Sequence, residues 1–375
     1  MSRYIQLHIL TSYPAANLNR DDLGRPKTMT MGNTQRLRVS SQSLKRAWRT
    51  SDAFAEALGG ALGTRTKEIG KYAYKALTCG VTLHEAIDGV ETGGLSTLKE
   101  NKAVAIGRAI GSVFGKIKAK YEKKKDDVES SMKALLESLE TEQIVHLSPA
   151  EIEGVAALVE VCRASGKVPE GEALDLLRAD AASADMALFG RMLAASKRFN
   201  VEAAAQVAHA FTVHTAAVEE DFFTAVDDLN KEDAGAGHMG VAEFGAGLFY
   251  LYVCIDRELL RETLGDDNLT ARTLRALVEA ACTVSPTGKQ NSFASRAYAS
   301  FCLAEKGDEQ PRSLAAAFLK PLNSEKGDLL ADAVERLLGR RDSLNSVYGQ
   351  DLASECFNVA DGGGSLRAVC GFIAE

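Results

Sequence analysis

The stretch YIQLHIL, residues 4–10, alternates three apolar side chains, Ile5, Leu7 and Ile9, with more polar ones. A period of two is typical of a β-strand that buries one face. We therefore predict a strand over residues 3–12 and a sheet as the base of the fold.

The segment after this strand is rich in Asn, Asp, Gly and Pro from Pro14 to about Gly32, which predicts a long loop. A short extended piece at residues 36–39 then leads to Ser40 or Ser41, either of which is a good helix N-cap. Good helix formers continue to about Leu58, where two glycines end the predicted helix.

The remaining sequence mixes helices and strands without a regular alternation. Residues 64–178 are helical in composition, whereas DMALFGRM (185–192), residues 206–216 and GLFYLYVCI (247–255) have the composition of strands. A Gly-rich excursion between the last two predicts a long hairpin. Helices are predicted near 268–283, 313–320 and 327–341, with a strand around 293–304. This pattern predicts the α+β class.

Composition limits the kind of protein. The 375 residues are 46% hydrophobic and 25% charged, which is typical of a soluble globular protein. There is no signal-like N-terminal segment and no long apolar run, so we expect a cytoplasmic protein without membrane contact. The seven cysteines are scattered, and His209 and His214 are not spaced for one helix face. We therefore expect no disulfide, no metal site and no cofactor.

Charge is distributed unevenly along the chain. The net charge is −7, but residues 1–50 hold nine Lys or Arg and two acids, a net +7, so the remainder carries −14. A basic segment on an acidic protein favours a polyanion as partner for one face.

The segment RLRVSSQSLKRAWR (Arg36–Arg49) is the most specific local signal. In a helix that starts after Ser41, Lys45 and Arg49 lie four residues apart and share one face. Hydroxyls and free backbone N–H groups gather at its N-terminus, where anions bind favourably. A phosphate site and an ordinary amphipathic helix with a serine cap are equally compatible with these residues.

Six shorter blocks accompany this segment along the chain: LNRDD (18–22), FGRM (189–192), AHAFTVH (208–214), FFTAVDDL (222–229), GHMGVAEF (237–244) and GKQNSFA (288–294). Together with RLRVSSQSLKRAWR (36–49), these blocks and their order resemble the CasC-type backbone subunit of type I-E CRISPR Cascade complexes. The helical middle, about 64–178, is similar only in character.

The resemblance implies a right-hand-like subunit. Its RRM-like palm would comprise residues 1–63 and 179–375, its helical fingers residues 64–178, and its β-hairpin thumb residues 218–245. Several copies would line up along a CRISPR guide RNA beside other Cascade subunits. The guide would be held by its backbone, so that its bases can pair with target DNA.

The resemblance also implies which residues contact RNA. Polar and basic contacts would come from Arg20, Lys27, Arg38, Ser40, Ser41, Gln42, Lys45, Arg46, Arg49, His238, Lys289 and Gln290. Apolar contacts where the thumb meets RNA would come from Met192, Phe223, Val226 and Met239. From the residues alone, Phe222, Phe223 and Val226 are better explained as the packed interior of a hairpin.

Two other functions compete with this one. Asp21 or Asp22 in the basic loop could act in metal-dependent RNA cleavage, as a loop aspartate does in related backbone subunits of type III effector complexes. No second carboxylate cluster accompanies them, and Arg20 offers a simple ion-pair partner, so we expect no enzymatic activity. A stand-alone RRM-like regulator would carry aromatic residues on its central strands, which are not found at Arg38–Ser40.

Overall fold

The computed structural model describes residues 2–119, 128–179, 182–226, 238–323 and 327–375; of Val128 and His238 only the backbone is described. The chain forms two compact units. The first, called the sheet unit, comprises Met1–Leu58, Ala204–Arg261 and Asp266–Glu375. The second, called the helical unit, comprises Gly59–Ala203 and Glu262–Gly265. The main segment of the helical unit thus spans residues 59–203, whereas the sequence analysis placed the boundaries of the helical region at residues 64 and 178.

An antiparallel sheet forms the first unit. Its strands are β1 (Tyr4–Ala16), β2 (Thr28–Met31), β3 (Thr34–Val39), β6 (Ala205–Val207), β7 (Ala210–Thr212), β8 (Glu219–Ala225), β9 (His238–Asp256), β10 (Ala299–Gly307), β11 (Ala353–Asn358) and β12 (Gly363–Gly364). The labels β4 and β5 belong to two short strands of the helical unit. The order is β12-β11-β10-β1-β9-β7-β3-β2, with β6 and β8 also paired to β9.

Helices complete the sheet unit. They are α1 (Ser41–Arg49), α2 (Asp52–Leu58), α9 (Arg257–Leu264, whose last residues fall outside this unit), α10 (Asp267–Thr283), α11 (Gln290–Phe293), α12 (Leu329–Tyr348) and α13 (Leu366–Ala374), with a 3₁₀ turn at Ala315–Phe318. Within it, β10, β1, β9 and β7 lie side by side in the sheet, and helices occur in the chain between β1 and β7 and between β9 and β10.

The first strand is buried on both faces. Ile5, Leu7 and Ile9 are fully buried as predicted, but His8 on the opposite face is also fully buried. The reason is a second apolar layer on that face, in which Tyr250 packs with Phe318 and Leu337. The more polar side chains of this strand therefore face the interior of the protein and not water.

The helical unit packs its own core. Its elements are β4 (Thr64–Thr66), α3 (Ile69–Cys79), α4 (Leu83–Ile87), α5 (Glu100–Phe114), α6 (Val128–Glu137), β5 (Val145–Leu147), α7 (Pro149–Ser165) and α8 (Ala184–Phe189), with 3₁₀ turns at Gly171–Leu174 and Lys197–Phe199. Gly70 of α3 and Gly107 of α5 allow a close crossing, since a Cβ on either would lie 2.5 Å from the carbonyl oxygen of the other.

Several sequence expectations need correction. The strand predicted at 185–192 is wrong: these residues form most of helix α8 and the segment after it, because a short, mostly buried apolar run does not distinguish strand from helix. The helix predicted to reach Leu58 is two helices, α1 and α2, with a break at Thr50 and Ser51. The predicted loop from Pro14 is shorter, because β1 continues to Ala16 and β2 begins at Thr28.

Two further observations concern the whole chain. All seven cysteines are free thiols; four of them are buried, whereas Cys356 is exposed. Among the helices that the structure describes, none is both long and apolar enough to cross a bilayer.

Candidate nucleic-acid interface

The loop that joins β1 to β2 is held in one shape by its own side chains. The Asp21 carboxylate accepts hydrogen bonds from the backbone N–H groups of Leu23 and Arg25, both at 2.9 Å. The Asn17 amide donates to the carbonyl oxygens of Gly24 at 3.0 Å and Glu243 at 2.9 Å. These hydrogen bonds stabilise the loop as a turn in which Arg20 and Arg25 are exposed to solvent.

The same loop is bonded to the start of helix α1. Lys27 donates its backbone N–H to the carbonyl of Asn19, and Arg38 donates to the carbonyl of Lys27, both at 2.8 Å. The Asn19 side chain accepts from the backbone N–H of Ser40 at 2.9 Å. Ser40 in turn is the N-cap of α1 and accepts from the backbone N–H of Ser43 at 3.4 Å. The predicted cap is confirmed, and the loop fixes where the helix begins.

Helix α1 buries one of its faces. Leu44, Ala47 and Trp48 are buried, and Trp48 is fully so. No acid lies in its first turn, so no carboxylate there opposes an anion. Five polar and basic side chains that were predicted from the sequence to contact RNA lie away from that buried face and are exposed or half-exposed: Ser41, Gln42, Lys45, Arg46 and Arg49.

A second group of cations lies at β3 and β7. The Arg38 guanidinium donates to Nδ1 of His209 at 2.8 Å. Partial burial, followed by the positive charges of Arg38 and Lys27, lowers the pKa of His209 below its usual value. A neutral His209 accepts this hydrogen bond and so orients Arg38 without adding a competing charge.

Residues distant in sequence meet around a small cavity of about 180 Å³. Arg20 and Arg25 from the loop, Lys289 from the turn before α11, and Asn17 line it. Glu243 of β9 also lines it and pairs with Arg25, with 3.3 Å between Nε and Oε1. Three cations and one acid around a cavity of this size suit a phosphate group.

The backbone around Lys289 is strained. Lys289 and Ala294 have φ of +49°, a conformation that residues other than glycine rarely adopt. Between Asn17, Leu18 and Gly288 there is no room for a side chain: a Cβ on Gly288 would overlap the carbonyl oxygens of the other two. The structure therefore brings the predicted residues Arg20 and Lys289 together, while Gln290 begins the short helix α11 beside them.

The hairpin of β8 and β9 exposes apolar side chains on both faces. Phe222 pairs with Val241 and Thr224 with Met239, so these four share one face. Phe222, Met239 and Val241 are 63%, 64% and 59% exposed. We call this face the Met239 face.

Phe223 lies on the opposite face of the hairpin. It pairs with Gly240, and its ring occupies the space that a side chain at Gly240 would need. The structure thus separates Phe223 from Met239. Val226 follows β8 and is 67% exposed. The hairpin tip, 227–237, lies outside the described residues, and His238 is described only as the first residue of β9.

Met192 belongs to the helical unit. It is 79% exposed, although its neighbours Arg191 and Leu193 are buried. A long apolar side chain held in solvent between two buried residues is suited to contact a ligand.

Of the basic residues counted in the first segment, one is buried and another is paired with an acid. Arg36 is fully buried and donates to the carbonyl oxygens of Thr212 at 2.8 Å and Phe318 at 3.0 Å. Arg3 pairs with Asp256 at 2.9 Å. The net charge of +7 therefore overstates what residues 1–50 present to a polyanion.

The geometry also adds residues that sequence reasoning missed. Asn17, Arg25 and Phe293 line the cavity, Asn19 and His209 orient basic segments, and Phe222 and Val241 complete the Met239 face. Arg25 carried a sequence signal in its place in the basic loop, and five others lie within the matched sequence blocks: Asn19, His209, Phe222, Val241 and Phe293. Within the described part of the chain, no group of three or more His, Cys, Asp or Glu residues is arranged to hold a metal ion.

Comparisons with known proteins identify the family of this chain. A family model described as CT1975-like protein matches residues 5–366. No curated protein sequence matched the chain. A chain from a solved structure titled "CRISPR RNA-guided surveillance complex, pre-nicking" is 30% identical, with a TM-score of 0.78 and 99% of each chain covered. Another, from a "CRISPR RNA-guided surveillance complex", is 25% identical, with a TM-score of 0.58, covering 99% of this chain and 98% of that one. The protein described here therefore belongs to the family of CT1975-like proteins.

Proposed function

We propose that this protein is a guide-RNA-binding backbone subunit of a CRISPR surveillance complex of the Cascade type. The observation that carries the proposal is the basic surface made by the β1–β2 loop, Lys289 and helix α1 in a chain 30% identical, over 99% of its length, to a chain of such a complex. Cations on a fixed backbone suit phosphate recognition without base readout.

The finer features of the proposal follow the sequence resemblance. The complex is of type I-E, the sheet unit is an RRM-like palm, the helical unit provides the fingers, and the β8–β9 hairpin is the thumb. Copies of the chain polymerise along the guide in the cytoplasm, next to other Cascade subunits, and leave the bases free to pair with target DNA. The order of β10, β1, β9 and β7 supports an RRM-like core.

The subunit in this proposal has no catalytic activity. Asp21, the first of the two candidate aspartates, uses its carboxylate to accept two backbone N–H groups of its own loop. A carboxylate engaged in holding a turn is poorly placed to act as a metal ligand.

Co-expression with a CRISPR array tests the proposal. The purified particle should contain an RNA of discrete length and several copies of this chain per RNA, as measured by native mass spectrometry. Mixing with the other subunits of a type I-E complex should yield a particle that binds complementary DNA. Recovery of the chain as an RNA-free monomer under these conditions would show the proposal to be wrong.

A further inference from the structure

The loop between α8 and Val201 in the helical unit is held at its base by a buried arginine. Arg191 and Val201 exchange backbone hydrogen bonds at 2.9 and 3.0 Å. The Arg191 guanidinium pairs with Glu151 at 2.7 Å, and the two side chains are 2% and 0% exposed. It also donates to the carbonyl oxygen of Phe199, from Nε at 3.1 Å and from an Nη at 3.0 Å.

The far end of this loop is basic. Lys197 and Arg198 form an exposed 3₁₀ turn, and neither has a carboxylate oxygen within 4.0 Å among the residues that the structure describes. The Arg198 guanidinium lies 4.6 Å from the centre of the Phe199 ring. Two unneutralised cations are therefore displayed on a fixed base beside an aromatic ring.

A cleft of about 450 Å³ lies against this turn. Val113, Leu174, Leu177 and Phe199 give it an apolar lining, while Lys197, Arg198 and a single acid, Asp175, are its charged residues. The cleft has the size of an ordinary small-molecule site and a net positive rim. Apolar and aromatic surface next to cations is how proteins bind unpaired nucleotides.

We propose that this cleft binds one nucleotide of a single-stranded nucleic acid, with its phosphate on Lys197 and Arg198 and its base against Phe199. The proposal rests on the proposed function and adds a contact in the helical unit, apart from the site on the sheet unit. The strand has two sources in a surveillance complex, the guide RNA and the target DNA strand, which share this chemistry.

The test compares the assembled complex carrying Lys197→Ala/Arg198→Ala with wild type. A matched control, Lys71→Ala/Lys116→Ala, removes two cations of the same unit that pair with Glu68 at 2.6 Å and Glu142 at 2.8 Å. We measure guide RNA affinity in one arm and affinity of the guide-loaded complex for a complementary DNA strand in the other, both across a salt series.

We expect the variant to lose about tenfold or more in one arm, with a salt slope reduced by up to about two units, and the control to change little. The affected arm identifies the strand. In that arm, Phe199→Leu, which keeps an apolar side chain on the core, should weaken binding without changing the salt slope, because it removes stacking and no charge.

Equal affinities and slopes for the variant and the control in both arms would overturn the proposal. Melting temperatures of the variants show whether each one is folded. Failure of the proposed function gives a different result. The wild-type chain would then bind no guide RNA in the first arm, and there would be no guide-loaded complex for the second arm.

Discussion

Asn17 links the β1–β2 loop to the β8–β9 hairpin: its side-chain amide donates to the backbone carbonyl of Glu243 at 2.9 Å and, through the same nitrogen, to that of Gly24 at 3.0 Å. The amide orientation is fixed, because both partners are acceptors. Its carbonyl oxygen has no partner among the described residues. The loop that carries Arg20 and the strand that carries Met239 are thus joined by one side chain.

This link predicts different losses in the free energy of unfolding for two substitutions of Asn17. Asn17→Ala loses two hydrogen bonds, each worth about 1 kcal/mol, but also removes an unpaired acceptor, so the free energy of unfolding should fall by about 1 kcal/mol. Asn17→Asp has nearly the same shape but faces two carbonyl oxygens with a carboxylate, and should cost more. Urea unfolding measures both. An Asp variant as stable as wild type would contradict the assigned contacts.

Lys45 and Arg49 on helix α1 should provide phosphate contacts. Lys45→Ala/Arg49→Ala should weaken guide RNA binding and reduce the salt slope by up to about two units, one for each phosphate that the variant no longer neutralises. The matched control is Lys71→Ala/Lys75→Ala, a pair at the same spacing on α3. Fluorescence titration at roughly 0.05 to 0.5 M salt measures the RNA affinity of both variants. The salt dependence that comes from counterion release can be measured over this range. An unchanged slope would remove this pair from the RNA site.

The local parts of this site were predictable from sequence, and the parts made by long-range pairing were not. The Ser40 cap and the α1 faces follow from a helical period over nine residues. The meeting of Arg20 with Lys289 depends on β1 and α11 being brought together by the sheet, which no local pattern encodes. Arg36 was counted as a surface cation, but it is buried. Its guanidinium donates a hydrogen bond to the carbonyl oxygen of Phe318, in the 3₁₀ turn at Ala315–Phe318.

Asp21 is predicted to have a structural and not a catalytic role. With guide, complementary target strand and Mg²⁺ or Mn²⁺ present, the complex should cut neither strand, as followed by gel electrophoresis. Asp21→Ala frees two backbone N–H groups and should lower RNA affinity through a loosened loop, whereas Asp21→Asn keeps an acceptor and should lower it less. Metal-dependent cleavage that disappears in Asp21→Ala or Asp22→Ala would establish the nuclease alternative.

Glu305 should make the stability of the sheet unit depend on acid pH. Burial alone would raise its pKa, but the hydrogen bonds from His8 and Arg312 and the positive charge of Arg312 outweigh burial and lower it to about 2. The same burial lowers the pKa of His8, so the neutral imidazole donates to Glu305 at 3.2 Å and accepts from the Tyr250 hydroxyl at 2.9 Å.

The sign follows from the lowered pKa. The ionised carboxylate contributes stability that is present above its unfolded pKa, near 4.5, and is lost as the pH falls towards about 2. Urea unfolding across this window should therefore show a smaller loss of stability for Glu305→Gln than for wild type. Glu335→Gln, on the exposed side of α12, serves as the control and should behave like wild type. Identical pH profiles for wild type and Glu305→Gln would refute the assignment.

The thumb hairpin should interrupt pairing between guide and target once per subunit. Apolar side chains that insert between bases unstack them, and the Met239 face offers three such side chains in solvent, whereas Phe223 is 44% exposed and covers Gly240. Mismatches at the interrupted positions should be tolerated, while those between them should cost roughly 1–3 kcal/mol each, the range for mismatched pairs in protein–DNA sites. Met239→Ser/Val241→Ser should flatten this periodic pattern more than Phe223→Ser does, because the first variant makes the exposed face polar and the second opens space above a glycine. Target binding measured with a mismatch at every guide position gives the pattern, and a uniform penalty in the wild-type complex would exclude the wedge.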